Sequence, residues 1–140
     1  MFTLKAVQKT IIMLHIPSLY ITTSAHRGRG VFTAESIDKE SFIEICPLLI
    51  IPREQVPIIH QTVFHDYYFL LPDFDGVACI PLGYGCLYNH SGTPNAEVRI
   101  DIENQQIEIH AIQDISAGAE IFIDYQDGDR EFEEVWFEVM

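Results

Sequence analysis

A dense polar patch, Asn89-His90-Ser91, follows the apolar segment Gly83–Tyr88, for which we expect a buried strand. Amide, imidazole and hydroxyl groups place several hydrogen-bond donors and acceptors within three residues, so the patch is suited to holding a polar ligand. A histidine satisfied inside the core is the plain structural alternative for His90. A hydrolytic His90–Ser91 pair is disfavoured, because neighbouring side chains on a strand point to opposite faces.

Two other segments carry residues suited to a ligand site. Gly28-Arg29-Gly30 precedes a short apolar strand, and glycine lets the backbone take positive φ and approach a ligand closely. A plain turn is the alternative, and the dinucleotide-binding fingerprint lacks its third glycine and its following helix. The segment Glu120–Tyr125 is strand-forming and ends in Asp-Tyr. We expect Glu120 and Asp124 to be structural, with their carboxylates accepting hydrogen bonds from backbone N–H groups.

Composition limits the function classes. The chain has 140 residues, of which 48% are hydrophobic, which fits one globular domain with a real core. Its net charge is −13, from 21 acidic and 8 basic residues. An acidic surface repels phosphate backbones and attracts a basic partner, so we expect no direct nucleic-acid binding. Solubility alone is the other explanation of the charge.

The cysteines and the apolar N-terminal run indicate the compartment. Cys46, Cys79 and Cys86 are an odd, sparse set, which predicts buried thiols rather than disulfides. The spacing C-x6-C-x3-H, which ends at His90, matches no usual zinc pattern, so we expect no metal. The run Thr10–Pro17 is too short to span a membrane. An intracellular, cytoplasmic location is the default, with a nuclear or host-directed one left open.

The elements that must position these residues are mostly short strands. Alternation and turn signals predict a hairpin of Ala96–Asp101 with Gln106–Ala111, and a short helix between Pro52 and His65. The remaining strand predictions are Leu19–Thr23, Phe42–Pro52, Asp66–Leu71, Val77–Pro81 and Glu120–Tyr125. No internal repeat and no alternation of strands with helices is present, so the residues alone predict a mainly β domain.

Taken in order, Gly28–Phe32, Asn89-His90-Ser91 with Pro94-Asn95, and Glu120–Tyr125 resemble the SET-domain protein lysine methyltransferases of the small single-domain type. The resemblance covers about residues 14–125, which leaves 1–13 as an extension. Residues 126–140 are then an acidic aromatic tail in the post-SET position, without a zinc cluster. The resemblance implies a fold of several small β-sheets with little helix. It also implies a C-terminal pseudoknot in which Asn89-His90-Ser91 threads under the Glu120–Tyr125 loop.

The resemblance also implies a chemistry. S-adenosylmethionine would give its methyl group to a lysine amine, leaving S-adenosylhomocysteine, in a reaction that needs alignment and exclusion of water rather than a metal. The substrate would be a basic, lysine-containing protein segment. The implied catalytic residue is Tyr125. The implied cofactor-binding residues are Gly28, Arg29, Gly30, Asn89, His90 and Tyr125. Candidate walls of the substrate channel are Tyr67, Tyr68, Tyr84 and Trp136.

Several alternatives stay open at this point. Aromatic residues of a small β domain more often pack in the core, and Arg29 is also suited to the surface. Many family members have a cysteine at Gly92 and an aromatic residue near Ala96–Val98, so the number of methyl groups added is open. A SET-fold module that binds cofactor or peptide without efficient turnover is the alternative function. Homodimerisation and closure of the site by the tail are open as well.

Overall fold

Short strands dominate the part of the chain that the structure, a computed structural model, describes, which is residues 14–25 and 28–124. The strands are β1 (Leu19–Thr23), β2 (Arg29–Thr33), β3 (Phe42–Ile51), β4 (Phe69–Leu70), β5 (Ala78–Pro81), β6 (Asn89–His90), β7 (Ala96–Asp101), β8 (Gln106–Ala111) and β9 (Phe122–Ile123). Helix is limited to 3₁₀ turns at Arg53–Gln55 and Val63–Asp66 and to α1 (Val56–His60). The mainly β prediction is confirmed, and none of these helices is long and apolar enough to cross a membrane.

The described strands form three small sheets. One has five strands in the order β4-β5-β3-β8-β7, and two have the paired strands β1-β2 and β6-β9. The β7–β8 hairpin has the predicted bounds and pairs from Ala96↔Ala111 to Asp101↔Gln106. Strand β1 also has the predicted bounds. Both agree because alternation of apolar and polar residues is a local signal that fixes which face of a strand is buried.

The main core packs these sheets against one another. Buried residues come from β1, β2, β3, β5, β7, β8 and β9, and Val31, Ile43, Ile109 and Ile121 are fully buried. Each such side chain contributes about 1.5–3 kcal/mol through its removal from water. A second cluster beneath the helical segment contains Ile51, Val56, Tyr68, Ala78 and Ile80. The main core includes Tyr88, which precedes β6, and Ile123 of β9, so both short strands adjoin it.

Three strand predictions need correction. The predicted strand Gly83–Tyr88 is a run of turns, with Gly83 at φ +66° and hydrogen bonds from Gly85 N to Leu82 O and from Leu87 N to Tyr84 O. Glycine weakens a strand because it adds no packing and loses more entropy on folding. The predicted strand Asp66–Leu71 is reduced to β4, since its first residue belongs to the 3₁₀ turn. The last strand is likewise reduced to β9, and Tyr125 lies outside the described residues.

The three cysteines are free thiols, as expected from their number. Cys46 and Cys79 are buried and Cys86 is half-buried. Burial raises the pKa of Cys86 to about 11, and burial with the neighbouring Cys86 thiol raises the pKa of Cys79 to about 12. These groups stay protonated at neutral pH, which makes them poor nucleophiles and poor metal ligands.

The raised pKa of Cys79 predicts a loss of stability in alkali. Above the ordinary thiol value of 9.0 the unfolded chain releases this proton while the folded chain retains it, so the unfolding free energy falls as pH rises. Between about pH 8 and about pH 10, Cys79 should account for a loss of about 1.4 kcal/mol. Urea unfolding of reduced protein at both pH values measures the difference, and Cys79→Ala should make it smaller by that amount. An equal difference in both proteins contradicts the prediction.

Candidate active site

The strands β6 and β9 pair in parallel although the whole β7–β8 hairpin lies between them in sequence. Asn89 is opposite Phe122 and His90 is opposite Ile123, and Ser91 N–H donates to Ile123 O at 3.0 Å. Parallel neighbours require a crossover connection rather than a tight turn. The chain that follows β6, at Ser91 and Asn95, bonds to the backbone of β9, and this parallel contact between distant segments is consistent with the expected pseudoknot.

Asn95 holds this crossing together by bonding to the backbone on both sides of Ile121. Its Nδ2 donates to Glu120 O at 2.9 Å, and its Oδ1 accepts from Phe122 N–H at 2.8 Å. Its own N–H donates to Phe122 O at 3.2 Å. Backbone groups at a partly buried crossing need such partners, because an unpaired one costs as much as a lost hydrogen bond. The Asn95 amide thus satisfies backbone groups that no regular ladder reaches.

The Glu120 carboxylate lies buried at the centre of the site, with 8% of the residue exposed. Ser24 Oγ donates to Oε1 at 2.6 Å and Asn89 Nδ2 donates to Oε2 at 2.7 Å. Asn89 Nδ2 also donates to Arg29 O at 3.2 Å. The prediction that Glu120 is structural agrees with these contacts, but its partners are side chains instead of the backbone N–H groups expected.

The two glycines before β2's apolar residues have different surroundings. A Cβ on Gly30 would overlap Glu120 Oε2 and lie 2.9 Å from Asn89 Nδ2, so this glycine makes room for the protein's own carboxylate. Gly28 has φ +49°, no described atom lies within 4 Å of a Cβ built on it, and its carbonyl accepts from Ser24 N–H at 2.8 Å. Gly28 and the neighbouring Arg29 are both exposed.

His90 faces the end of β9. Its Nδ1 lies 3.6 Å from Asp124 Oδ1, and about 30% of each side chain is exposed. His90 is thus a partly accessible polar residue rather than a core histidine. Asp124 directly precedes the predicted catalytic residue Tyr125, which lies outside the described residues together with Trp136. The pairing of β6 with β9 nevertheless places His90 beside the residue that leads into Tyr125.

An apolar cleft of about 60 Å³ opens beside the end of β9. Its walls come mainly from the five-stranded sheet, and Ile123 and Asp124 also line it. Lining residues that the sheet supplies include Leu48, Phe69, Leu70, Val98 and Ile107. A cleft of this composition shields an aliphatic group from water and leaves one acidic group at its edge.

The described channel candidates do not line this cleft. Tyr68 is buried in the second core cluster, and its hydroxyl bonds to His60 Nδ1 at 3.0 Å. Tyr84 is half-buried with its ring 5.3 Å from that of His15, and the Tyr67 carbonyl accepts from the Cys86 thiol at 3.6 Å. Phe69 is the aromatic residue that the cleft contains. Aromatic type alone did not indicate which face of the chain each ring would occupy.

Sequence reasoning missed Glu44, a carboxylate that is 1% exposed and bonded to Tyr88 and Tyr84. An acidic residue amid the apolar strand Phe42–Ile51 was the available signal. Among the described residues no group of three or more His, Cys, Asp or Glu side chains is arranged to hold a metal ion.

The close fit of Gly30 against Glu120 gives a stability prediction. Gly30→Ala should lower the unfolding free energy by about 1–3 kcal/mol, because the added methyl group displaces the buried carboxylate. Gly92→Ala is the matched control, since a Cβ at Gly92 meets no atom of the described residues within 4 Å and its backbone is not in the left-handed region. Chemical denaturation measures both, and equal stability of the two variants would count against the packing described.

Comparison with known proteins agrees with this geometry. The SET domain family model matches residues 28–126. The histone-lysine N-methyltransferase, H3 lysine-37 specific, of Schizosaccharomyces pombe is 31% identical over 121 residues, covering 86% of this chain and 77% of that protein. A crystal structure of a Plasmodium falciparum protein assigned as a histone methyltransferase is similar with a TM-score of 0.66 and 37% identity, covering 81% of this chain and 95% of that chain. The chain belongs to the SET domain family.

Proposed function

We propose that this chain is an S-adenosylmethionine-dependent protein-lysine N-methyltransferase that acts on a lysine in a basic protein segment. The observation that carries the proposal is the parallel pairing of β6 with β9. It sets Asn89 and His90 beside the residues that lead into Tyr125, and Asn89 Nδ2 donates both to Glu120 and to the Arg29 carbonyl in the Gly28–Gly30 turn. Family membership and the two named relatives support it.

The described residues fit the proposed cofactor. Gly28 is exposed, which leaves its backbone accessible to a polar ligand, and His90 and Asp124 are partly exposed as well. Both hydrogens of Asn89 Nδ2 have protein acceptors, so we assign cofactor contacts at Asn89 to its other polar atoms. When bound, S-adenosylmethionine supplies an electrophilic methyl group on a sulfonium sulfur. Gly28, Arg29, Gly30, Asn89 and His90 are the residues proposed to hold it, with Tyr125.

The proposed task of the chain's own residues is alignment. With the donor bound, the lysine nitrogen would form its bond to the methyl carbon as the carbon–sulfur bond broke, and the nitrogen would then lose a proton to solvent. Attack requires a neutral amine, and desolvation beside an apolar cleft lowers an amine pKa. The cleft that ends at Ile123 and Asp124 is proposed to take the aliphatic part of the lysine. The Tyr125 hydroxyl is proposed to orient the amine at the point of transfer.

Charge and topology favour a basic, extended substrate. The chain carries a net charge of −13, which concentrates cationic segments near its surface. Strand β4 is an edge strand of the five-stranded sheet and contributes Phe69 and Leu70 to the cleft. An extended peptide that pairs with this edge would bring its side chains to the cleft. The relatives' activity on histones makes a histone the first substrate to test, with a nuclear site of action as the corollary.

A transfer assay with Tyr125→Phe tests the proposal. Labelled S-adenosylmethionine incubated with the enzyme and either histones or a whole-cell protein extract should label a protein. Tyr125→Phe should greatly reduce labelling while cofactor binding changes by no more than about 1 kcal/mol, the net value of one hydrogen bond. Tyr20→Phe, at a partly exposed tyrosine of β1, is the control and should retain full transfer. Cofactor binding without any labelling by the wild type would favour a binding module instead.

Calorimetry with S-adenosylhomocysteine tests the assignment of His90. His90→Ala should weaken binding about tenfold, which corresponds to about 1.4 kcal/mol. His65→Ala, on the surface 3₁₀ turn, is the control and should bind as the wild type does. Asn89→Ala should weaken binding as well, but it also removes a donor from Glu120, so its effect includes lost stability. Wild-type affinity in His90→Ala would remove His90 from the cofactor site.

A further inference from the structure

A second buried carboxylate, Glu44, lies outside the proposed chemistry. The register of β3 against β8 shifts between Phe42 and Glu44, so that Ile43 and Glu44 are both buried although neighbours on a regular strand alternate. A bulge of this kind redirects a side chain at a chosen point of a strand. The fold here uses it to turn a carboxylate inward, which is costly unless hydrogen bonds replace the lost water.

Two donors to the Glu44 carboxylate belong to the turn segment, residues 83–88, that leads into β6. Tyr88 Oη donates to Oε1 at 2.6 Å and Tyr84 N–H donates to Oε2 at 2.9 Å. Gly83 has φ +66°, and a Cβ there would lie 2.5 Å from Oε2, so a glycine is needed for the carboxylate to approach. Among the described residues no lysine or arginine forms an ion pair with Glu44.

The surroundings keep the contact intact at neutral pH. Burial, and then the Glu44 charge, raise the pKa of the Tyr88 phenol well above its ordinary value. The same two causes raise the pKa of the Cys46 thiol, which also lies beside the carboxylate. Tyr88 therefore keeps its proton and remains a donor to Glu44.

We propose that Glu44 is a positioning residue of the active site, which acts through Tyr88 and Tyr84 to set where Asn89 and His90 lie. This inference rests on the proposed function, since its consequence is cofactor affinity. Asn89 directly follows Tyr88, and its own side chain bonds to Glu120. The start of β6 is thus held by one carboxylate through Tyr88 and by another through Asn89. Loss of the first lets residues 83–88 shift and carries the two cofactor candidates with them.

A double-mutant cycle tests the connection. Glu44→Gln and Tyr88→Phe each remove part of this contact with little change in volume. Each should raise the dissociation constant of S-adenosylhomocysteine about three- to tenfold in calorimetry, at a temperature where circular dichroism shows the variants folded. The double variant should have about the same dissociation constant as the single variant that binds more weakly, because the two changes break the same hydrogen bond. Fully additive losses, or wild-type affinity in both singles, overturn the proposal.

Val56→Ala is the matched control for stability. Val56 is buried in the second core cluster, against which Cys86 also packs, and its truncation lowers stability without removing a hydrogen bond to Glu44. Its affinity for S-adenosylhomocysteine should equal that of the wild type. An affinity that falls with stability in all the variants, Val56→Ala included, would show that Glu44 is only structural and would overturn the positioning role.

Hydrogen exchange supplies a readout that needs no cofactor. The Ser91 amide bonds to Ile123 O and closes the β6–β9 pair. Its exchange should accelerate in Glu44→Gln and Tyr88→Phe by more than the loss of global stability explains, and in Val56→Ala only by that loss. If exchange of the Ser91 amide accelerates in all three variants only by the amount that lost global stability explains, the proposal is overturned. If the wild type binds no S-adenosylhomocysteine, the proposed function fails, and the exchange result still decides whether Glu44 positions β6.

Discussion

The burial of the Glu120 carboxylate is the constraint on which the site depends. A buried carboxylate is costly unless hydrogen bonds replace its hydration, and Glu120 forms no ion pair with any described lysine or arginine. Its two donors, Ser24 and Asn89, lie 96 and 31 residues away in sequence. Both oxygens are satisfied only when the end of β1, the strand β6 and the approach to β9 meet. The Glu120 carboxylate can therefore be buried with its hydrogen bonds satisfied only when the pseudoknot has formed.

The backbone around the crossing follows from the same condition. Three segments converge on the Glu120 carboxylate, and a side chain at residue 30 would overlap it. Glycine at this position leaves room for the carboxylate. The crossing also separates backbone groups from any regular ladder, and Asn95 satisfies them at Glu120 O and Phe122 N. With these contacts made inside the protein, Gly28 and the partly exposed His90 are left facing outward. The residues that hold the crossing together are thus buried or partly buried, whereas Gly28 is exposed and His90 is partly exposed.

Local pattern was enough for the β7–β8 hairpin and for β1, because alternation and turn residues act within a few positions. It failed at Gly83–Tyr88, where apolar residues suggested a strand and the positive φ of Gly83 produced turns. Glu44 was missed because its inward direction comes from a bulge, which depends on the register of β3 against β8. The three site segments were connected only by their resemblance to a family, since contacts such as Ser24 to Glu120 leave no local signal.

Strand β6 shows how so short an element can hold a fixed position. A two-residue strand gains little from ladder hydrogen bonds, so its position must come from side chains. Tyr88 and Asn89 are adjacent, and adjacent residues of extended chain point in opposite directions. One bonds to Glu44 and the other to Glu120, so β6 is held by a buried carboxylate on each side. The next residue, His90, is placed by these two anchors while remaining accessible, which is what a ligand-binding residue requires.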